Sequence, residues 1–71
     1  GSRVTIKYFL KTREMSYRLV VSAMMDVGGP MFCRDVCTQT SLRACEVCFI
    51  LNDMRENHLC TIDNIERASL L

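Results

Sequence analysis

The chain has 71 residues and a formal net charge of +1, from nine Lys and Arg against eight Asp and Glu. This length allows one domain or part of one, and a hydrophobic fraction of 49% with 24% charged residues excludes a disordered chain. The longest apolar run, residues 47–51, is much shorter than a membrane span, and the near-zero charge argues against a general polyanion binder.

Residues 3–11 fit two kinds of secondary structure. Val4, Ile6, Tyr8 and Leu10 alternate along the chain, which is the pattern of a half-buried strand. Val4 with Tyr8, and Ile6 with Leu10, also have the i,i+4 spacing of a helix face. Periodicity alone does not choose between a strand and a helix here.

A helix is predicted over residues 13–27. Thr12 is placed to cap its first turn, and Glu14 lies in that turn. Gly28 ends the helix, because Gly suits the left-handed position after a helix and Pro30 cannot continue it. The apolar positions recur with a period close to 3.6 residues: Met15, Leu19, Val20, Ala23, Met24 and Val27.

The rest of the chain is predicted to contain short elements. Residues 38–41 have a turn-like composition, and residues 46–55 fit a short helix. Residues 58–62 fit a strand. Asp63, with Glu66 three residues later, resembles a capping box, so a last helical turn is expected over residues 65–71.

The five cysteines need an explanation, because a chain this short buries only about 60% of its unfolded surface. Small folds usually add disulfides, a metal or a partner. An odd count makes complete internal pairing impossible. The sequence also shows no secretory leader, so we expect a cytoplasmic protein in which metal binding is favoured over disulfides. The first two residues, Gly1 and Ser2, resemble the scar of a cleaved tag on an excised fragment.

Four of these cysteines have the spacing of a zinc site. Cys33, Cys37, Cys45 and Cys48 form a C-x3-C-x7-C-x2-C pattern within sixteen residues. Zn²⁺ prefers four soft ligands in a tetrahedron, and each cysteine pair on a tight turn supplies one edge of it. Four protein ligands leave no open position for a substrate. The pattern therefore predicts one structural zinc ion that contributes to folding.

Two other interpretations of the thiols stay open. Leu42, Cys45, Phe49 and Asn52 lie at helix spacing, so residues 41–52 could form one helix that buries inert thiols. Cys45-x2-Cys48 could be a redox pair, although the βαβ pattern of thioredoxin-like proteins is missing beside it.

His58 and Cys60 are further candidate metal ligands. A lone His near the start of a strand is more often a surface or packing residue, and Cys60 is more often a small core hydrophobe. The sequence has no Ser/His/Asp set, no phosphate-binding glycine loop and no His-Glu-x-x-His pattern, so no catalytic residues are assigned.

Two charged patterns have a structural and a functional interpretation. The basic residues near the start could contact phosphates, although such a set more often forms a solvated helix face. Residues 66–71 fit an acidic dileucine sorting signal, or simply the apolar end of a helix. The basic set consists of Arg3, Lys7, Lys11, Arg13 and Arg18.

The order of these features resembles the bacterial recombination mediator family RecR. In that family a helical region precedes a four-cysteine zinc finger, and a Cys-Val-Val-Glu strand then opens a Toprim domain. The resemblance covers nearly the whole chain and is strongest where the finger joins the Cys60 strand. The matching positions are Arg3, Arg18, Leu19, Ala23, Met24, Cys33, Cys37, Thr40, Cys45, Glu46, Val47, Cys48, Arg55 and residues 59–63.

Three positions depart from the family pattern. The first pair of the family is C-x2-C, so Val36 stands at its second cysteine and Cys37 follows one residue later. Asp63 replaces the Toprim glutamate, and Ile65 replaces the usual proline. The upstream helix-hairpin-helix and nearly all of the Toprim domain are also missing from the sequence.

The resemblance implies a small zinc-stabilised α+β domain. It would comprise a helical segment (1–30), a four-cysteine zinc finger (31–57) and the start of a Toprim-like segment (58–71) with a short strand and a helix. It makes residues 3–11 the tail of a helix. One structural Zn²⁺ would be held by Cys33, Cys37, Cys45 and Cys48.

The implied role is non-enzymatic DNA recombination and repair. RecR-like proteins form a ring-like clamp on DNA and act with RecO-like and RecF-like proteins to load recombinase on gapped DNA. The full-length protein would be a homo-oligomer without membrane contact. Two alternatives stay open: a zinc-stabilised protein-interaction module unrelated to DNA repair, since tRNA-thiolating enzymes carry a similar cysteine cluster, and a metal-free helical fragment.

Overall fold

The computed structural model describes residues 2–71, without the side chains of residues 2–4. The elements, in chain order, are α1 (Ser2–Lys11), α2 (Met15–Val27), β1 (Met31–Phe32), α3 (Cys33–Thr40), α4 (Ala44–Glu56), β2 (Cys60–Ile62) and β3 (Arg67–Leu70). The described chain is an α+β fold of four helices and one antiparallel sheet, which confirms the α+β part of the predicted class. None of its helices has the length and apolarity that a membrane crossing would need.

Residues 3–11 belong to a helix, so the strand alternative is wrong. Ile6 and Phe9 are buried, and Leu10 packs against the same core. These positions have the i,i+3 and i,i+4 spacing of one helix face. The helical conformation predicted for this segment is therefore confirmed, and its being the tail of a longer helix stays a prediction.

The predicted helix over residues 13–27 is confirmed as α2, with a different start. It begins at Met15 with Glu14 at its N-cap, so the predicted cap at Thr12 is wrong. The Thr12 hydroxyl instead donates to the Phe9 carbonyl, at the end of α1. At the other end, Gly28 has φ 72° and its N–H donates to the Met24 carbonyl, as predicted for a left-handed stop.

The buried face of α2 is rotated from the predicted one. Met15, Leu19 and Val27 are exposed, although each belongs to the predicted apolar face. The residues that face the core repeat at i, i+3, i+4 and i+7. Two overlapping apolar faces therefore fit the sequence, and packing against α3, α4 and β3 selects one of them. The buried set is Tyr17, Val20, Val21, Ala23 and Met24.

Residues 33–40 form helix α3, so the predicted turn at residues 38–41 is wrong. Val36 is completely buried in the middle of this helix. The hydroxyls of Thr38 and Thr40 donate to the Arg34 and Val36 carbonyls one turn back, which satisfies these polar side chains inside a helix. The chain turns only at Ser41, where φ is 61°.

The predicted helix over residues 46–55 is confirmed as part of the longer α4. Its core face consists of Val47, Ile50, Leu51 and Met54, again with i, i+3, i+4, i+7 spacing. Phe49 is 69% exposed. A helix is therefore present where the thiol-burying alternative placed one. The face that carries Cys45 and Phe49, which that alternative would bury, is exposed to solvent.

The C-terminal segment is a strand, so the predicted helical turn over residues 65–71 is wrong. Asp63 does bind backbone N–H groups with its carboxylate, but those of Ile65 and Arg67 in a hairpin turn. The Asp63 carboxylate also accepts from the Arg67 guanidinium, and Glu66 has φ 64°. A helix cannot continue through that left-handed residue, and β2 and β3 pair on either side of the turn.

The sheet has the strand order β1-β3-β2, and both pairings are antiparallel. The last strand is therefore central. Its Ala68 is buried opposite both Met31 and Ile62. The sheet closes one side of the core formed by α2, α3 and α4. The strand predicted over residues 58–62 corresponds to β2, which begins at Cys60.

Candidate functional site

Three thiols lie where the first two turns of α3 adjoin the second turn of α4. Cys33 is the first residue of α3, directly after β1, and Cys37 follows one helical turn later. The Cys33 Sγ lies 3.4 Å from the Cys48 Sγ. Val36 and Val47, next to these cysteines, are completely buried in the common core and fix the two helices in place. We call Cys33, Cys37 and Cys48 the thiol cluster.

The environment of Cys33 disfavours its thiolate. Burial, together with the hydrogen bond and charge interaction with Cys48 and a smaller effect from Cys37, raises the pKa of the Cys33 thiol to about 12. At neutral pH Cys33 is therefore a thiol. Its sulfur can share a proton with Cys48, because the contact distance suits a sulfur hydrogen bond.

Cys45, the fourth predicted zinc ligand, points elsewhere. It is exposed and lines an open groove of about 680 Å³ between the start of α2 and α4, together with Ser16, Tyr17 and Phe49. Among the described residues, no group of three or more His, Cys, Asp or Glu side chains is arranged to hold a metal ion. The four thiols have the right chemistry for Zn²⁺, but this arrangement does not place them in a tetrahedron.

Cys60 and His58 do not join the thiol cluster. Cys60 is buried at the start of β2, where its Sγ lies 3.6 Å from the Leu51 carbonyl oxygen, and burial raises the pKa of its thiol. The expectation that it is a core residue is confirmed. His58 is exposed in the turn after α4, with φ 59°, and its N–H donates to the Arg55 carbonyl.

A polar network closes one end of the groove. The Asp53 carboxylate accepts from the Arg13 guanidinium at 3.0 and 3.2 Å and from the Tyr17 hydroxyl at 2.8 Å. The Arg13 guanidinium also lies 3.9 Å from the centre of the Phe9 ring. The hydrogen bond from Arg13 holds the pKa of Asp53 below its usual value. Asn57 completes the set, with its Nδ2 donating to Asp53 at 3.0 Å.

This network is the feature that sequence reasoning missed. Arg13 belongs to the basic set that could contact phosphates or, more often, form a solvated helix face, and its guanidinium instead pairs with Asp53. Of the other basic residues in that set, Lys7, Lys11 and Arg18 are exposed. Arg3 is among the residues whose side chains are not described. The two partners lie forty positions apart, and no local pattern signals such a pair.

Comparisons with known proteins add no family. No family model, no curated protein and no solved structure matches this chain.

Proposed function

We propose that this chain is the zinc-finger region of a RecR-like DNA recombination and repair protein. In this role it is a non-enzymatic junction that fixes a DNA-contacting helical region relative to a partner-binding Toprim domain. The full-length, oligomeric protein would bind DNA and RecO-like and RecF-like partners in the cytoplasm. The observation that carries the proposal is the 3.4 Å contact between Cys33 and Cys48, which joins both halves of the cysteine pattern.

The order of elements supports the same proposal. A helical region, α1 and α2, precedes the cysteines, and the strand that carries Cys60 follows α4. The thiol cluster lies between these two parts of the chain. Cross-linking by a metal at this point would hold β1 and α3 against α4, and the sheet links β1 to the C-terminal hairpin.

Zinc binding requires Cys45 to move toward the other three thiols. Cys45 and Cys48 lie one turn apart at the start of α4. This first turn is easily changed, because its N-cap residue Arg43 makes no side-chain capping bond and Ala44, Cys45 and Glu46 are exposed. We propose that Cys33, Cys37 and Cys48 bind one Zn²⁺ and that the first turn of α4 opens to add Cys45.

Native mass spectrometry with and without a chelator tests the zinc proposal. We expect one zinc per chain, and a change in circular dichroism with a lower urea midpoint after chelation, because metal binding adds to the stability of the fold and changes the first turn of α4. Cys33→Ser, Cys37→Ser, Cys45→Ser and Cys48→Ser should each weaken binding. Cys60→Ala is the matched control and should retain zinc, since this thiol is buried outside the cluster. No metal-sized mass difference, or unchanged dichroism after chelation, would contradict the proposal.

The RecR-like role is tested separately in the full-length reading frame. A glycine-containing helix-hairpin-helix upstream, an Asp-x-Asp Toprim motif downstream, and ring-like oligomers that bind gapped DNA are the expected results. A frame without these motifs, or a product without DNA binding, would refute it and leave the zinc result standing.

A second candidate is a protein-interaction module unrelated to DNA repair. The observation that favours it is the open groove, because Phe49 in its lining is 69% exposed. Met15, at the start of α2 but outside that lining, is 66% exposed. Exposed aromatic and Met side chains are typical of interaction surfaces. Phe49→Ser should abolish partner binding without changing zinc content if this role is correct, and a partner bound equally by the variant would exclude it.

A further inference from the structure

We propose that Cys33 and Cys48 form a redox site, at which a hydroperoxide such as hydrogen peroxide converts the two thiols to a disulfide between α3 and α4. The modification needs no metal, so it goes beyond the proposed zinc function. It applies to the same sulfurs and would regulate zinc binding if that function is correct.

The geometry of the two sulfurs is the first argument. Their separation is 3.4 Å, so they must approach by roughly 1.4 Å to form a bond. The cysteines lie on different helices, and rotation about the side-chain bonds can supply this movement. Cys48 is exposed and Cys33 is half-buried, so an oxidant from solvent meets Cys48 first.

The helices themselves disfavour the competing disulfides. Cys33 and Cys37 are i,i+4 neighbours on α3, and Cys45 and Cys48 are i,i+3 neighbours on α4. Such neighbours hold their Cβ atoms about 5–6 Å apart on an intact helix, whereas a disulfide needs about 3.5–4.5 Å. Cys60 is buried against Leu51 and out of reach of the cluster. A disulfide between α3 and α4 needs no helix to unwind, and Cys33 with Cys48 is the pair between these helices whose sulfurs are in contact.

The reaction balances with the peroxide as oxidant. The Cys48 sulfur attacks one peroxide oxygen, the O–O bond breaks, and the products are a sulfenic acid and one water molecule. The Cys33 sulfur then attacks the sulfenic sulfur, loses its proton, and displaces the hydroxyl group as a second water molecule. Two thiols are oxidised by two electrons, and one peroxide is reduced to two waters.

The disulfide has a direct consequence for the proposed metal site. It removes two of the four sulfurs that would bind Zn²⁺, because a disulfide sulfur is not a thiolate ligand. Oxidation would thus release the metal, and a disulfide would replace the metal as the link between α3 and α4.

Peptide mapping can identify which cysteines are joined, because trypsin places most of the cysteines on different peptides. Cleavage after Arg18, Arg34, Arg43 and Arg55 places Cys33, Cys37 and Cys60 on three different peptides and Cys45 with Cys48 on a fourth. The reduced, chelator-treated chain is exposed to hydrogen peroxide, its remaining thiols are alkylated, and intact mass and tryptic peptides are measured.

Before alkylation the expected product is a monomer about 2 Da lighter than the reduced chain, and after alkylation it carries adducts on three of its five cysteines. Peptide 19–34 should be joined to peptide 44–55. Cys45→Ser should keep this crosslink, and Cys37→Ser is the matched control that should also keep it. Cys33→Ser removes the thiol of peptide 19–34 and should abolish the crosslink, and Cys48→Ser should remove most of it. Circular dichroism of each reduced variant verifies that it folds.

Three results would overturn the proposal: a dominant crosslink to the Cys37 peptide, a crosslink lost in Cys45→Ser, or irreversible sulfinic and sulfonic acids without any crosslink in the unaltered chain. The zinc proposal is judged on separate samples. A chain that forms this disulfide but binds no zinc refutes only the proposed function, and a chain that binds zinc but never forms the disulfide refutes only the redox site.

Discussion

The hydrogen bond from Tyr17 to Asp53 should be a measurable part of the stability of this fold. Tyr17→Phe removes only the hydroxyl, which donates to Asp53 at 2.8 Å. Asp53 keeps its bonds from Arg13 and Asn57, so no unpaired charge is created. A hydrogen bond to a charged group contributes about 1.5–3 kcal/mol. Because the Asp53 side chain keeps 23% of its exposure, we expect a loss near the lower limit, about 1.5 kcal/mol.

A double-mutant cycle isolates this bond. Urea unfolding followed by circular dichroism is measured for Tyr17→Phe, Asp53→Ala and the double variant. In the Asp53→Ala background, Tyr17→Phe should cost less than about 0.5 kcal/mol, since its partner is gone. Tyr8→Phe is the matched control: this ring is 66% exposed, and its replacement should change stability by less than about 0.5 kcal/mol. An equal cost of Tyr17→Phe in both backgrounds would show that the hydroxyl does not act through Asp53.

Three further predictions concern the core, the helix end and acid stability. Met54 is completely buried, so Met54→Ala should cost about 2–5 kcal/mol in urea unfolding, while Met25→Ala on the exposed face should cost under about 0.5 kcal/mol. Gly28→Ala should cost about 1–2 kcal/mol because of its positive φ, whereas Gly29→Ala, with open space around its Cβ position, should be nearly neutral; equal effects would contradict the left-handed stop. Hydrogen bonds, from the Arg13 side chain and the Arg67 backbone N–H respectively, lower the pKa values of Asp53 and Asp63. Both carboxylates therefore stabilise the fold fully above the unfolded pKa of about 4 and lose this contribution as pH falls through their lower folded values. Urea midpoints should decline below pH 4, and Asp53→Asn should flatten that decline.

The two long helices could be predicted because their apolar residues repeat over several turns. α2 and α4 each present four or more buried positions, and Gly28 gives α2 a physical stop. The exact buried face of α2 could not be predicted, because Leu19 and Val21 fit neighbouring apolar faces equally well and only packing against other elements decides between them.

The cysteine pattern shows why a spacing can predict a cluster without its geometry. C-x3-C and C-x2-C are spacings of a metal-binding turn, and they are also one turn of an α-helix. The spacing therefore predicts one group that contains Cys33 and Cys48, and their sulfurs are in contact. The cysteines lie on helices, however, and not on the predicted finger turns. Strand β1 was missed because two residues are too few for a period-2 pattern, and β3 was missed because Asp63 and Glu66 also fit the capping box of a helix.

The central position of β3 in the sheet imposes an order on folding. β2 and β3 are joined by a tight turn at Asp63, so their pairing is local and can form early. Among the described residues β1 pairs only with β3, and helices α3 and α4 lie between them along the chain. Closing that long loop costs more conformational entropy than forming a local contact does. The pairing of Met31 with Ala68 is therefore expected to form last, and the amides of β1 should be the first in the sheet to exchange with solvent.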